Sequence, residues 1–272
     1  MTSEVLLYIH HHLDSKISLE SLGKVTGYSP FHLQKKLSRE LGTPLGKYIQ
    51  EQRLHTAAYL LALTRLPILD IMTMVGFEDN SAFGRAFKKL YAVPPLQYRS
   101  SQTHQQAHPH QTSRYISTNG VICREAPKTA RIFTSRGDYF SRESFAIWED
   151  VTAYIASIGR TPDDFEHYSV FHECPHITGN RDSRFDAAIV PKGFTLPAEP
   201  FLHSSILDGK YIKFNFCSAV QEYESVSAEV NNAVAAQPEI RHREGASYFR
   251  YDSMPSPHNP DNLFINWYLP IA

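Results

Sequence analysis

One pattern of helical spacings and turn glycines occurs twice near the start of the chain, 49 positions apart. Leu19, Leu22, Val25 and Gly27-Tyr28 correspond to Ile68, Ile71, Met74 and Gly76-Phe77. Leu33, Leu37 and Leu41 then correspond to Phe83, Phe87 and Tyr91, with one residue inserted. Apolar residues recurring every three or four positions line one face of a helix. A glycine between two such runs supplies a turn with φ > 0 at no steric cost. Ser18 can cap a helix beginning at Leu19, and Ser29-Pro30 offers a cap followed by proline at the first helical position. Helix, glycine turn, helix is the helix-turn-helix pattern. Two copies joined by a long helix from about Leu45 to Leu63, with Pro67 marking its end, predict an all-α N-terminal domain.

The pattern stops where composition changes. Residues 101–114 hold one alanine and no larger apolar side chain, so they cannot bury surface and read as an exposed linker. At 272 residues two domains are the natural division: 1–100 with two helix-turn-helix units, a linker 101–117, and a second domain 118–272. Charge divides at the same place. Residues 1–100 carry 12 Lys+Arg and 8 Asp+Glu, whereas 101–272 carry 15 and 20. A basic half that approaches phosphates and an acidic half that avoids them suit a two-part regulator.

Beyond the linker two blocks share an order. The first has β-type runs at 121–126 and 130–137, a helix near 142–158, then runs at 168–172 and 184–191. The second has runs at 203–207 and 210–217, a helix near 219–236, then runs at 247–253 and 263–270. Strand-strand-helix-strand-strand, twice, predicts an α+β domain with an antiparallel sheet, pseudo-twofold symmetry and a cleft between the halves.

Residues 4–99 resemble the DNA-binding domain of the AraC/XylS family. The resemblance rests on Gly27-Tyr28-Ser29-Pro30-Phe31-His32-Leu33-Gln34, on Val75-Gly76-Phe77-Glu78-Asp79-Asn80-Ser81-Ala82-Phe83, and on the run from Arg85 to Arg99. Ala92 stands where that family usually has glycine after the last long helix, a position that favours φ > 0. In a helix-turn-helix the second helix enters the major groove. The exposed positions there are Phe31, His32, Gln34, Lys35 and Lys36 in the first unit, and Asn80, Ser81 and Arg85, followed by Lys88 and Lys89, in the second. The resemblance implies that Gln34, Lys35 and Arg85 meet base edges, while Lys88 and Lys89 suit phosphates. The expected partner is double-stranded DNA, read by one chain as an asymmetric site over two adjacent major-groove faces.

Residues 118–271 resemble the GyrI-like effector-binding domain, which occurs fused to AraC-type heads in the Rob-like arrangement. The residues that carry this are Arg184-Phe185-Asp186-Ala187-Ala188, Phe249-Arg250-Tyr251 and Trp267-Tyr268-Leu269-Pro270. The resemblance implies an aromatic-lined cleft for bulky small molecules, with a Glu two residues before a Tyr. Phe249 takes that place here, before Arg250 and Tyr251. Phenylalanine supplies no full charge, which points to a neutral or aromatic ligand. Tyr139, Trp148, Phe249, Tyr251 and Trp267 are the candidate ligand contacts, and Phe145, Tyr168, Tyr211 and Tyr268 are further aromatics of the region.

Other signals point nowhere. His10-His11-His12 would face different directions on a helix, and His104, His108 and His110 sit in the linker. Three scattered cysteines contain no CxxC pair, so neither a disulfide framework nor a zinc ribbon is supported. Cys174-Pro175-His176 leaves a redox-sensing thiol open. The expectations are no metal, no cofactor, no enzyme and no membrane, in a cytoplasmic, nucleoid-associated protein. The function expected is a sequence-specific transcriptional regulator, an activator contacting RNA polymerase, modulated by a small aromatic or hydrophobic effector. Alternatives are a DNA-binding protein whose second domain is a ligand-free interaction module, and an enzyme acting on an electrophile.

Overall fold

The computed structural model describes residues 5, 8–9, 12–102, 120–137, 142–172, 183–197, 202–219, 222–235, 237, 239–243, 245–256 and 263–272. It divides into two compact units, Met1–Gln105 and Gln106–Ala272.

The first unit is helical: α1 (Leu19–Thr26), α2 (Pro30–Leu41), α3 (Leu45–Leu63), α4 (Ile68–Met74), α5 (Asn80–Tyr91) and α6 (Pro95–Gln102). Side-chain caps start α1, α2 and α5, the first two where the sequence places them. Ser18 Oγ accepts from the Ser21 N–H at 3.1 Å, and Ser21 Oγ accepts from the Ser18 N–H at 3.0 Å. Ser29 Oγ accepts from His32 N–H at 3.3 Å, and Asp79 Oδ1 from Ala82 N–H at 2.5 Å. The α1–α2 and α4–α5 turns pass through Gly27 and Gly76 at φ of 73° and 77°. Helix α6 runs two residues past the boundary expected at residue 100. The Ser100 and Ser101 hydroxyls there donate back to Leu96 O and Tyr98 O, at 3.1 and 2.8 Å. The rest of the expected linker, 103–117, lies outside the described residues.

Helix α3 belongs to two cores. Tyr48 and Ile49 pack with Val5, Ile9, Leu22, Leu33 and Leu37. Leu54, Ala57, Ala58, Leu60 and Leu61 pack with Ile71, Met72, Val75, Phe83, Phe87 and Tyr98. Between the two sets, Arg53 donates through Nη1 to Gly76 O and through Nη2 to Ser15 O, both at 2.7 Å. A Cβ at Gly76 would come within 2.4 Å of Leu13 O and 2.8 Å of the Arg53 guanidinium. That turn therefore needs glycine for space as well as for φ.

Among the described residues the second unit is one eight-stranded sheet with two α-helices on one face. Its elements are β1 (Val121–Glu125), β2 (Lys128–Gly137), α7 (Ile147–Ser157), β3 (Phe165–Phe171), β4 (Ser183–Pro191), β5 (His203–Ile206), β6 (Gly209–Ser218), α8 (Tyr223–Ala235), β7 (Ser247–Tyr251) and β8 (Leu263–Pro270). All named pairings are antiparallel, in the order β1-β6-β8-β7-β3-β4-β2-β5. The helix expected from residue 142 opens instead as a 3-10 turn, Arg142–Ala146, which brings Phe145 to 6.3 Å from Tyr223. The second helix starts later than expected, at Tyr223, after Glu222 has accepted from the Ala219 N–H at 3.3 Å.

Alternation along each strand sorts the side chains. Phe165 and Phe171, Phe185, Ala187 and Ile189, Ile212, Phe214 and Phe216, Phe249 and Tyr251, and Ile265 and Trp267 face the helices. They form one core with Trp148, Val151 and Ile155 of α7 and Tyr223, Val226 and Val230 of α8. Two polar residues share that face of β3, His167 and Ser169, both buried. On the opposite face Arg184 and Asp186 form a buried pair within one strand, Nε to Oδ1 at 2.9 Å and Nη2 to Oδ2. Thr134 Oγ1 donates to Asp186 Oδ1 at 2.7 Å, and His172 Nε2 sits 2.8 Å from Oδ2. Burial pushes the Asp186 carboxyl up, but the Arg184 charge and His172 hold it well below the usual carboxylate range.

Two consequences are measurable. Ala92 ends α5 in the left-handed region at φ 63°, which costs a β-carbon roughly 1 kcal/mol. Ala92→Gly is expected to raise the stability of the helical unit by about that amount, seen as a higher midpoint in the helical circular-dichroism transition; an unchanged midpoint would remove the strain assignment. Burial, helped by the Lys192 charge, lowers His167 from 6.5 to about 4. The unfolded chain therefore takes up a proton that the folded unit refuses. Stability is full above pH 6.5 and falls towards pH 4, by about 1.4 kcal/mol per unit for one such group. Urea melts followed by tryptophan fluorescence should show this slope in the second unit, and His167→Gln should flatten it.

Candidate nucleic-acid interface and ligand groove

Helices α2 and α5 each turn a short apolar stripe inward and a polar face outward. In α2, Leu33 and Leu37 are fully buried, while Phe31, His32, Gln34 and Lys35 are exposed and Lys36 is half-buried. In α5, Phe83 and Phe87 are fully buried, while Asn80, Ser81, Arg85, Lys88 and Lys89 are exposed. Nine of the ten residues singled out in the sequence are thus exposed on α2 and α5, and Lys36 is half-buried. Neither helix has an acidic residue in its first turn. Ser29 and the Asp79 carboxylate cap the N–H ends there, so the outward positive charge comes from the Lys and Arg side chains. Lys88 and Lys89 lie in the last turn of α5, where they also complement the helix dipole.

Two surface features were not singled out in the sequence. Tyr28 stacks on His32 with ring centroids 5.4 Å apart, next to Phe31, which is 77% exposed. Three rings within five residues at a helix start were the available signal. Arg39 extends the basic side of α2 and is exposed. Arg53 and Arg99 were also missed, and they act inside the fold. Arg99 Nη2 donates to Leu66 O at 2.6 Å, tying α6 to the α3–α4 connection.

In the second unit the central strands are β7 and β3, with four strands or fewer to either side. Helix α7 lies on β2 and β4. Helix α8 meets β6 and β7 through Tyr223, at 6.2 Å from Phe216 and 5.3 Å from Phe249. The helix-facing side of β3 and β7 therefore forms a floor between the two helices. It consists of His167, Ser169, Phe249 and Tyr251.

Four of the five candidate ligand residues converge on this floor. Trp148 meets Tyr251 edge-on at 5.8 Å and His167 at 6.1 Å. Phe249 lies 5.1 Å from Trp267, 4.5 Å from Phe171 and 6.5 Å from Tyr251. Tyr139 lies outside the described residues. All four are buried. Phe145 adjoins them through Tyr223, whereas Tyr168, Tyr211 and Tyr268 point to the opposite face. There Tyr168 donates to Glu166 Oε2 at 2.6 Å, beside Lys128, which reaches the same oxygen at 2.6 Å.

The polar atoms of the floor are of two kinds. Ser169 and Tyr251 hydroxyls bond each other at 2.8 Å. Trp148 Nε1, Trp267 Nε1, His167 Nε2 and the hydroxyl of Tyr223, which packs on Phe249, are buried without a hydrogen-bond partner. No carboxylate lies on the helix-facing side of the sheet among the described residues. The buried charge there is Arg131, stacked between Phe133 and Tyr154 at 4.7 and 4.3 Å. Among the described residues no cluster of three or more His, Cys, Asp or Glu is placed to hold a metal, and no helix is long and apolar enough to cross a membrane.

Comparison with known proteins bears on the first unit. Residues 22–101 match the family model described as a helix-turn-helix domain. Right origin-binding protein of Escherichia coli (strain K12) is 40% identical over 98 residues, 36% of this chain and 34% of that protein. The chain thus spans about a third of that relative's length. The multiple antibiotic resistance protein MarA of Salmonella typhimurium is 36% identical over 100 residues, 37% of this chain and 79% of MarA. The HTH-type transcriptional activator AarP of Providencia stuartii is 35% identical over 101 residues, 37% of this chain and 75% of AarP. At 35% and 36% identity over 75% of AarP and 79% of MarA, the chain belongs to the AraC/XylS family of helix-turn-helix transcriptional regulators.

Proposed function

We propose that this protein is a sequence-specific DNA-binding transcriptional activator of the cytoplasm, associated with the nucleoid, whose second unit is a GyrI-like sensor and not an enzyme. The single observation that carries the DNA-binding reading is the matched exposure of α2 and α5. Each buries two apolar residues and presents Lys or Arg with amide or hydroxyl side chains outward. Helices α1–α2 and α4–α5 are then two helix-turn-helix units, and α2 and α5 enter successive major-groove faces about 34 Å apart. Gln34, Lys35 and Arg85 read bases, and Lys88 and Lys89 hold phosphates. RNA polymerase is the partner through which an activator of this kind acts.

The strand order supports the GyrI-like reading. Exchanging β1 with β5, β2 with β6, β3 with β7 and β4 with β8 turns the order β1-β6-β8-β7-β3-β4-β2-β5 into its own reverse. Two strand-strand-helix-strand-strand blocks related by a pseudo-twofold axis between β3 and β7 would give that result. Such an axis puts the floor of His167, Ser169, Phe249 and Tyr251 between equivalent halves, the natural seat for a small aromatic effector. A ligand acts on DNA binding only through unequal affinity for the conformations that bind DNA well and poorly.

Selection of bound duplexes from a random pool by the full chain should return an asymmetric motif of roughly 20 base pairs. A strict palindrome would overturn reading by one chain. On the selected site Arg85→Ala should cost about 1–3 kcal/mol and relax preference at one position. Lys88→Ala should weaken all sequences alike and lower the salt dependence by about one ion. Equal, sequence-independent losses for both variants would remove Arg85 from the groove.

A further inference from the structure

We infer that the groove between α7 and α8 takes an uncharged aromatic ligand bearing hydrogen-bond acceptor oxygens, which the indole N–H groups of Trp148 and Trp267 receive. The inference rests on the effector-site reading above and adds the chemistry of the ligand to it. A buried donor without an acceptor is costly, and native proteins rarely keep one without a use. Here two such donors lie at the ends of one aromatic surface. Trp148 stands against Tyr251 at 5.8 Å and Trp267 against Phe249 at 5.1 Å. Both Nε1 atoms are shut from solvent and unpartnered. An indole nitrogen donates and never accepts, so only an acceptor satisfies it.

The remaining groups narrow the class. The Ser169–Tyr251 bond uses one of the two hydroxyl protons and leaves the other to donate elsewhere. His167 Nε2, beside Trp148, and the Tyr223 hydroxyl, over Phe249, are further buried atoms without a partner. On this face of the sheet no described carboxylate awaits a cation, and the buried charge present is the positive Arg131. A cation would lose its hydration with ring faces alone, and no described carboxylate, to offset the loss. Phe249 fixes the rest, since its ring packs on Phe171, Tyr223, Phe216 and Trp267 and offers a flat apolar contact. Because the donors are closed off, occupation requires the two helices to part.

The test uses three bicyclic probes of similar outline and the full chain. Coumarin carries acceptor oxygens, naphthalene carries none, and N-methylquinolinium carries a positive charge. The protein's two tryptophans are both in the groove, so intrinsic fluorescence reports on nothing else. Coumarin is expected to bind about three- to tenfold more tightly than naphthalene, the value of one or two net hydrogen bonds. N-methylquinolinium should be weakest. Trp148→Phe and, independently, Trp267→Phe keep the ring and delete the donor. Each should lower coumarin affinity by about three- to tenfold and leave naphthalene unchanged, with an unaltered thermal transition showing that the variant folds. Equal binding of coumarin and naphthalene, or a preference for the cation, would overturn the acceptor assignment and leave an effector groove standing. No fluorescence or thermal response to any of the three would overturn the groove as a ligand site altogether.

Discussion

The N-terminal unit depends on one helix being owned by two cores. Tyr48 and Ile49 commit the start of α3 to the first core, and Leu54 to Leu61 commit the rest to the second. At 1.5 Å rise per residue the two commitments sit on the order of 10 Å apart along a single rod. The helix pairs packed on either end cannot drift without breaking one core. Arg53 occupies the gap between the two sets and converts it into a joint, donating to Gly76 O on one side and Ser15 O on the other. Each bond to a charged donor contributes roughly 1.5–3 kcal/mol. Gly76 and Gly27 hold equivalent places in the repeat, yet the surroundings differ. A Cβ at Gly27 meets nothing within 4 Å, whereas one at Gly76 meets Arg53. The second turn is therefore tied to the joint and the first is not.

That asymmetry explains how much of this unit was legible in the sequence. Caps and turns are local chemistry, so Ser18, Ser29, Gly27 and Gly76 announce themselves, and the long helix from Leu45 to Leu63 follows from its spacing. Ala92 was legible as a misfit because αL geometry is a property of one residue. Arg53 was not legible. Nothing local distinguishes a charged residue that caps carbonyls 23 and 38 positions away from one that faces solvent. The end of α6 was misplaced for a related reason, since Ser100 and Ser101 read as linker but bond back into their own helix.

In the second unit the β and α runs were legible from periodicity, and the sheet order was not. The pairing of β7 with β3 joins residues about eighty positions apart, a choice that no local signal makes. Yet that pairing creates the buried aromatic floor. It sets His167 opposite Tyr251 and Ser169 opposite Phe249, on the midline between the two helices. The aromatic residues picked out by type did converge there. Their partners His167 and Ser169, which give the floor its polarity, carry no mark in the sequence beyond alternating with Glu166, Tyr168 and Val170.

The period of two has a further consequence in the triplet Phe249-Arg250-Tyr251. Phe249 and Tyr251 face the helices, while Arg250 must face the other way, towards Tyr168, Tyr268 and Glu166. One short strand thus feeds two chemistries that cannot meet across the sheet. A single-residue slip would put the guanidinium against Trp267 and the rings against the Lys128–Glu166 pair, burying a charge among indoles that cannot accept a hydrogen bond. The apolar neighbours of Phe249 hold the register against that slip, because its ring fits between Phe171 and Trp267 and nowhere on the polar face. Phe249 therefore does two things at once. It locks the register of the central strands, and it keeps charge off the buried floor that the two indoles border.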